Sequence, residues 1–68
     1  MTDNVYKKIE LAGTSTVSSD DAVKNALAKA AESVRNMDWF ELQETRGHIV
    51  DGKVDHWQVV LKVGFRLD

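Results

Sequence analysis

The chain has no cysteine and no proline, only four glycines, and just five aromatic residues among 68. Without cysteine there is neither a disulfide framework nor a thiolate metal site. The same absence fits a reducing compartment, and the expected location is cytoplasmic. No charge of one sign dominates: the formal net charge is −2, with acidic and basic residues mixed along the chain. A nucleic-acid-binding protein would carry a basic patch or stripe, so no such partner is expected. No apolar run approaches the roughly 20 residues that span a bilayer. The opening segment Met1-Thr2-Asp3-Asn4-Val5-Tyr6 also lacks the apolar stretch of a secretory signal. No membrane partner is expected.

What remains is a chain of one domain, residues 1–68. A domain this small buries only about 60% of the surface its unfolded chain exposes. Such domains are usually reinforced by disulfides, a metal or oligomerisation. His48 and His56 lack the further ligands that a zinc site requires. Self-association is therefore the route open to this chain.

The hydrophobic periodicity predicts four elements. Tyr6 to Gly13 alternates as a half-buried strand does and stops at a glycine. Thr14 to Asp21 is a loop rich in helix-start residues, in which Ser18 or Ser19 can cap and Asp20 and Asp21 suit the positive helix end. A helix is expected to about Arg35 or Asn36, with Val23, Ala26, Leu27, Ala30, Val34 and Met37 forming its apolar stripe. Asp38 to Arg46 alternates again, and Trp57, Val59, Leu61, Val63, Phe65 and Leu67 form a nearly unbroken apolar row. The fold class is α+β, in the order β-α-β-β.

Asp51-Gly52 marks a tight hairpin between the last two strands, because glycine tolerates positive φ. With those two residues at the centre of the turn, Trp39 pairs with Gly64, Glu41 with Lys62, Gln43 with Val60 and Thr45 with Gln58. The opposite-charge pair is favourable, and glycine opposite tryptophan leaves room for something flat. A bulge would shift this register.

In that register Phe40 and Leu42 point inward, and Trp39 points outward with Glu41, Gln43 and Thr45. A 68-residue protein gains little by leaving its largest apolar side chain in water. Another subunit or a flat ligand should cover that ring. Trp57, which shares a side with Val59 and Leu61, reads as core. Lys7 and Lys8 read as a solvated strand edge, with contact to an anionic ligand as the alternative, and the histidines as exposed hairpin residues.

Enzyme chemistry finds little support. There is no nucleophile–base pair at recognisable spacing, no phosphate-binding glycine loop and no paired carboxylates in one visible site. A small tautomerase would be short and oligomeric too, but it uses an N-terminal proline, which this chain lacks.

Four segments in order carry a resemblance: Tyr6 to Ser15, Asp38-Trp39-Phe40-Glu41, Arg46-Gly47, and Trp57 to Leu67. Over essentially the whole chain they resemble the dodecins, specifically those of bacterial type. That resemblance implies a three-stranded antiparallel sheet partly wrapped around one helix, assembled as a hollow homododecamer. It also implies flavin sites at subunit interfaces, where two isoalloxazine rings stack between symmetry-related tryptophans. Trp39 matches that tryptophan, and Gln58 matches the glutamine that bonds the polar edge of the ring. Arg46 matches an arginine of bacterial members, placed to meet a flavin phosphate. The implied ligands are FMN or riboflavin, with coenzyme A bound by some members. The implied role is storage, sequestration and photoprotection of flavin without catalysis. The alternative is a structural scaffold or coenzyme A-binding protein in which Trp39 packs an interface. Arg46 and Arg66 have a structural reading as well, in ion pairs with Glu44 or Asp68 across subunit interfaces, and for Arg66 that reading is preferred.

Overall fold

The computed structural model describes residues 3–68; Met1 and Thr2, the start of the opening segment read above, lie outside the described residues. The elements are β1 (Tyr6–Ser15), α1 (Ser19–Ala30), β2 (Met37–Val50) and β3 (Lys53–Arg66). The expected β-α-β-β order is the order observed. All pairing is antiparallel, and β3 lies in the centre of the sheet, between β1 and β2.

The entry to α1 follows from its serines and aspartates. Ser18 is extended, and its hydroxyl accepts the backbone N–H of Asp21 at 3.0 Å. Ser15 ends β1 buried, donating to the Asp21 carboxylate at 2.6 Å and accepting the Val17 N–H at 2.9 Å. Asp20 and Asp21 occupy the positive end of the helix and Lys29 its last turn.

The helix ends sooner than its periodicity predicts. It stops at Ala30, and Glu32 and Ser33 N–H groups bond Lys29 and Ala30 carbonyls in a tightened turn. The reason is tertiary. Asn36 takes a left-handed φ of 64°, which reverses the chain. Its carbonyl accepts the Arg66 N–H at 3.1 Å, and its side chain donates to Asp68 at 3.0 Å. Extending α1 to Arg35 would forfeit that anchorage to the end of β3.

The core is one thin layer between α1 and the sheet. Val59, Leu61 and Val63 of β3 and Ala22 of the helix are fully buried, with Ala26 beside them. Ala22, absent from the stripe read above, lies at the closest approach. A Cβ at Gly13 would stand 2.5 Å from the Ala22 carbonyl oxygen and 2.8 Å from the Ala26 Cβ. Helix and sheet can approach this closely because glycine faces alanines there.

The helix covers β1 and β3 but not β2. Phe40 and Leu42 do point to the helix side, yet they stay 46% and 49% exposed. Between them and Val23 and Leu27 runs an open apolar groove of about 350 Å³. Trp57, read as core, is half-buried.

The hairpin turn is as expected, with positive φ at both Asp51 and Gly52. The register is only partly so. Trp39 pairs with Gly64 and Glu41 with Lys62, but β2–β3 carries shifts between Met37 and Trp39, between Leu42 and Glu44 and between His48 and Ile49. Extra residues on β2, Asp38 and Gln43, and one on β3, Asp55, account for them. Gln43 therefore does not pair with Val60, nor Thr45 with Gln58. Glu44 faces Val60, Thr45 faces Val59 and Arg46 faces Gln58. A bulge reverses alternation beyond it. Thr45 accordingly moves to the helix side, and Glu44 and Arg46 join Trp39 and Glu41 on the opposite, open face.

Candidate functional site

The open face of the sheet carries all three residues singled out above. Gly64 is the seat of the first. A Cβ there would collide with the indole ring of Trp39, so only glycine lets that ring lie against the central strand. Tyr6 of β1 closes one side, edge-on to the indole with ring centroids 5.0 Å apart and planes at 63°. Trp39 remains 38% exposed, so part of an aromatic platform is offered to solvent.

The indole N–H of Trp39 donates to a Glu41 oxygen at 3.3 Å. Lys8, crossing from β1, donates to both oxygens of the same carboxylate at 3.0 and 3.2 Å. Lys8 is therefore not merely a solvated edge residue. Lys62 stands opposite Glu41 in the register, but the hydrogen-bonded ion pair is made with Lys8. The Lys8 ammonium, and after it the Trp39 N–H, hold the Glu41 carboxyl below its ordinary value, while lost hydration acts the other way.

Arg46 and Gln58 are direct cross-strand partners. Strict alternation from Trp39 would have sent Arg46 to the helix side. The bulge at Gln43 brings it to the open face. Arg46 also meets Glu44 in an ion pair, so its guanidinium already has an anionic neighbour along β2. Within the chain, Asp68 pairs with Arg35.

Trp39 and the Arg46–Gln58 pair are not neighbours. Gly64, beneath Trp39, and Gln58 are separated along β3 by roughly 20 Å at about 3.3 Å per residue.

The sequence model of one family, Dodecin, matches residues 5–68, and the solved structures that share this β-α-β-β fold are dodecins. The chain belongs to the dodecin family. It is 52% identical over 64 residues to the dodecin of Thermus thermophilus, covering 94% of this chain and 93% of that one. Among solved structures, the dodecin of Streptomyces coelicolor superposes with a TM-score of 0.94 at 48% identity, covering 100% of this chain and 97% of the other. A more distant dodecin is the calcium-chelating antigen of Mycobacterium tuberculosis, at 29% identity and a TM-score of 0.81, covering 94% and 91%.

Within this dodecin fold, two features escaped the reading of the sequence. Glu41 and Lys8 were read as strand residues, and their convergence on Trp39 needs β1 and β2 to flank β3. His48 and His56 stack across the hairpin, centroids 5.1 Å apart, because the Asp55 bulge sets them opposite each other. Among the described residues no group of three or more His, Cys, Asp or Glu side chains is placed to hold a metal ion. Among them, too, no helix is long and apolar enough to cross a membrane.

Proposed function

We propose that this chain is a non-catalytic flavin-binding protein, cytoplasmic, that stores and sequesters FMN or riboflavin between subunits of a closed homododecamer. The observation that carries this reading is Trp39 lying against Gly64 on the open face of the sheet. An indole that lies against the central strand and whose ring remains reachable is a stacking surface for a flat aromatic ligand.

The separation of Trp39 from Gln58 supports a shared site. Trp39 of one subunit stacks on the ring, and Gln58 of a neighbour bonds its polar edge. Arg46 beside that Gln58 meets the flavin phosphate through a charge-assisted bond. Closed point-group symmetry repeats the arrangement at every equivalent contact.

The rival assignment, Trp39 as a plug between subunits, is disfavoured by the groove along Val23, Leu27, Phe40 and Leu42. That groove offers subunits a separate apolar contact. Trp39 is then free to meet a ligand.

The test is direct. Purified protein is denatured and the supernatant examined for flavin, and apo-protein is titrated into FMN while fluorescence is followed. Saturable quenching at one flavin per Trp39 is the expected result, and unquenched FMN at all protein concentrations defeats the reading.

A further inference from the structure

Trp39 has two torsions about which its ring can turn, and Gly64 supplies a floor without choosing a rotation. Two contacts choose it. Tyr6 bounds one side, and Glu41 accepts the indole N–H. Glu41 is itself fixed, because Lys8 reaches over the central strand to both carboxylate oxygens. The three residues thus link β1 to β2 above β3.

We propose that Glu41 is a positioning residue for the flavin site: steered by Lys8, its carboxylate holds the indole of Trp39 in the plane on which the flavin stacks. The proposal rests on the flavin reading above. A carboxylate accepting the N–H does a second thing, since it raises the electron density of the indole. An electron-richer indole stacks better on the electron-poor isoalloxazine.

The charged groups around Glu41 on this face are Lys8 and Glu10 of β1, Lys62 of β3 and Glu44 of β2. Glu10 stands opposite Lys62, and Glu44 is paired with Arg46. The helix lies on the other side of the sheet. Lys8 is thus the main group that keeps Glu41 ionised. With the carboxyl held below its ordinary 4.5, the Trp39 contact is complete at neutral pH. It is lost as the pH falls through that lowered value, because a protonated Glu41 is a poorer acceptor and releases Lys8.

Riboflavin is the probe, having no phosphate either to titrate or to meet Arg46. Its affinity for the intact oligomer is measured by fluorescence quenching between about pH 3 and pH 8, bracketing the carboxylate range. Wild type, Glu41→Gln and Lys8→Met are compared. In parallel, the indole N–H resonances are followed in flavin-free protein, with Trp39 identified by the signal missing in Trp39→Phe.

The expected result has three parts. Glu41→Gln, whose neutral amide oxygen accepts the indole N–H more weakly and forms no ion pair with Lys8, binds riboflavin roughly three- to tenfold more weakly at neutral pH and shows no acid break. Lys8→Met keeps the break but moves its midpoint upward, since the largest of the contacts that lower it is gone. The Trp39 resonance titrates with the same midpoints, whereas that of Trp57 does not. Unchanged riboflavin affinity in Glu41→Gln, or a Trp39 resonance indifferent to pH, overturns the positioning role. If wild type takes up no riboflavin at any pH, it is the flavin reading that fails, and the resonance still decides whether Glu41 governs Trp39.

Discussion

The indole of Trp39 occupies the space that a side chain at Gly64 would need. The two residues are cross-strand partners, and the pairing is what turns an edge-strand tryptophan into a platform lying on the sheet. Replacing Gly64 with alanine should therefore displace the ring while sparing the fold, since Trp39 is half-exposed and can swing outward. We expect Gly64→Ala to retain its far-UV spectrum and to lose FMN affinity by roughly tenfold or more, the scale of a lost aromatic stack. Retained affinity would show that the ring does not need its glycine seat.

Gly13→Ala is the contrasting case. There the new Cβ meets the Ala22 backbone oxygen and the Ala26 Cβ, neither of which can swing away. Overpacking of this kind costs about 1–3 kcal/mol. Thermal or denaturant unfolding should register that loss, with α1 lifted from β1.

Assembly is the third expectation. The half-exposed Phe40 and Leu42, beside Val23 and Leu27, leave an apolar groove that a lone chain would present to water. Light scattering of purified protein should give twelve times the mass of one chain, and a charge placed in the groove, as in Leu42→Lys, should reduce that mass. A stable monomer at micromolar concentration contradicts the proposed assembly.

Arg46 should set the preference between flavins. Its guanidinium is shared with Glu44, so that carboxylate competes with a phosphate for it. We expect FMN to bind more tightly than riboflavin, with an advantage that shrinks as salt rises. Arg46→Ala should lessen that advantage and Glu44→Gln should enlarge it. Calorimetric titration with both ligands at two salt concentrations measures the effect.

The bound flavin should not turn over. In the proposed site a ring enclosed between Trp39 and a second flavin would present no open face beside its reactive nitrogen, and Gln58 would be a neutral anchor. Bound flavin should be dark, recover its fluorescence on release, and leave added NADH or NADPH unoxidised. Trp39→Ala should restore the fluorescence by releasing the ligand, with the oligomer intact. Steady oxidation of NADH by the loaded wild-type oligomer would instead point to an oxidoreductase.

Local signals carried much of this structure in the sequence. The alternation of β1 and β3, the serine–aspartate entry to α1 and the Asp51-Gly52 turn depend on neighbours a few residues away, and each was legible there. So was the outward placement of Trp39 opposite Gly64, because the register near both residues happens to match the unbulged hairpin. The end of α1 was not legible, because its alanines continue the helical pattern through Ala31, and what stops it is Asn36 bonding to Arg66 and Asp68 at the far end of the chain. Nor were the residues at Gln43 and Asp55 that interrupt the ladder, since a bulge lowers the energy only when the partner strand and its packing are present. The interruptions at Gln43 and Asp55 decide that Arg46 shares the open face with Trp39 and Gln58. The order of strands, with β3 between the others, decides that Lys8 reaches Glu41. Composition and periodicity are properties of the chain; which side chains converge on Trp39 is a property of strands paired across the whole of it.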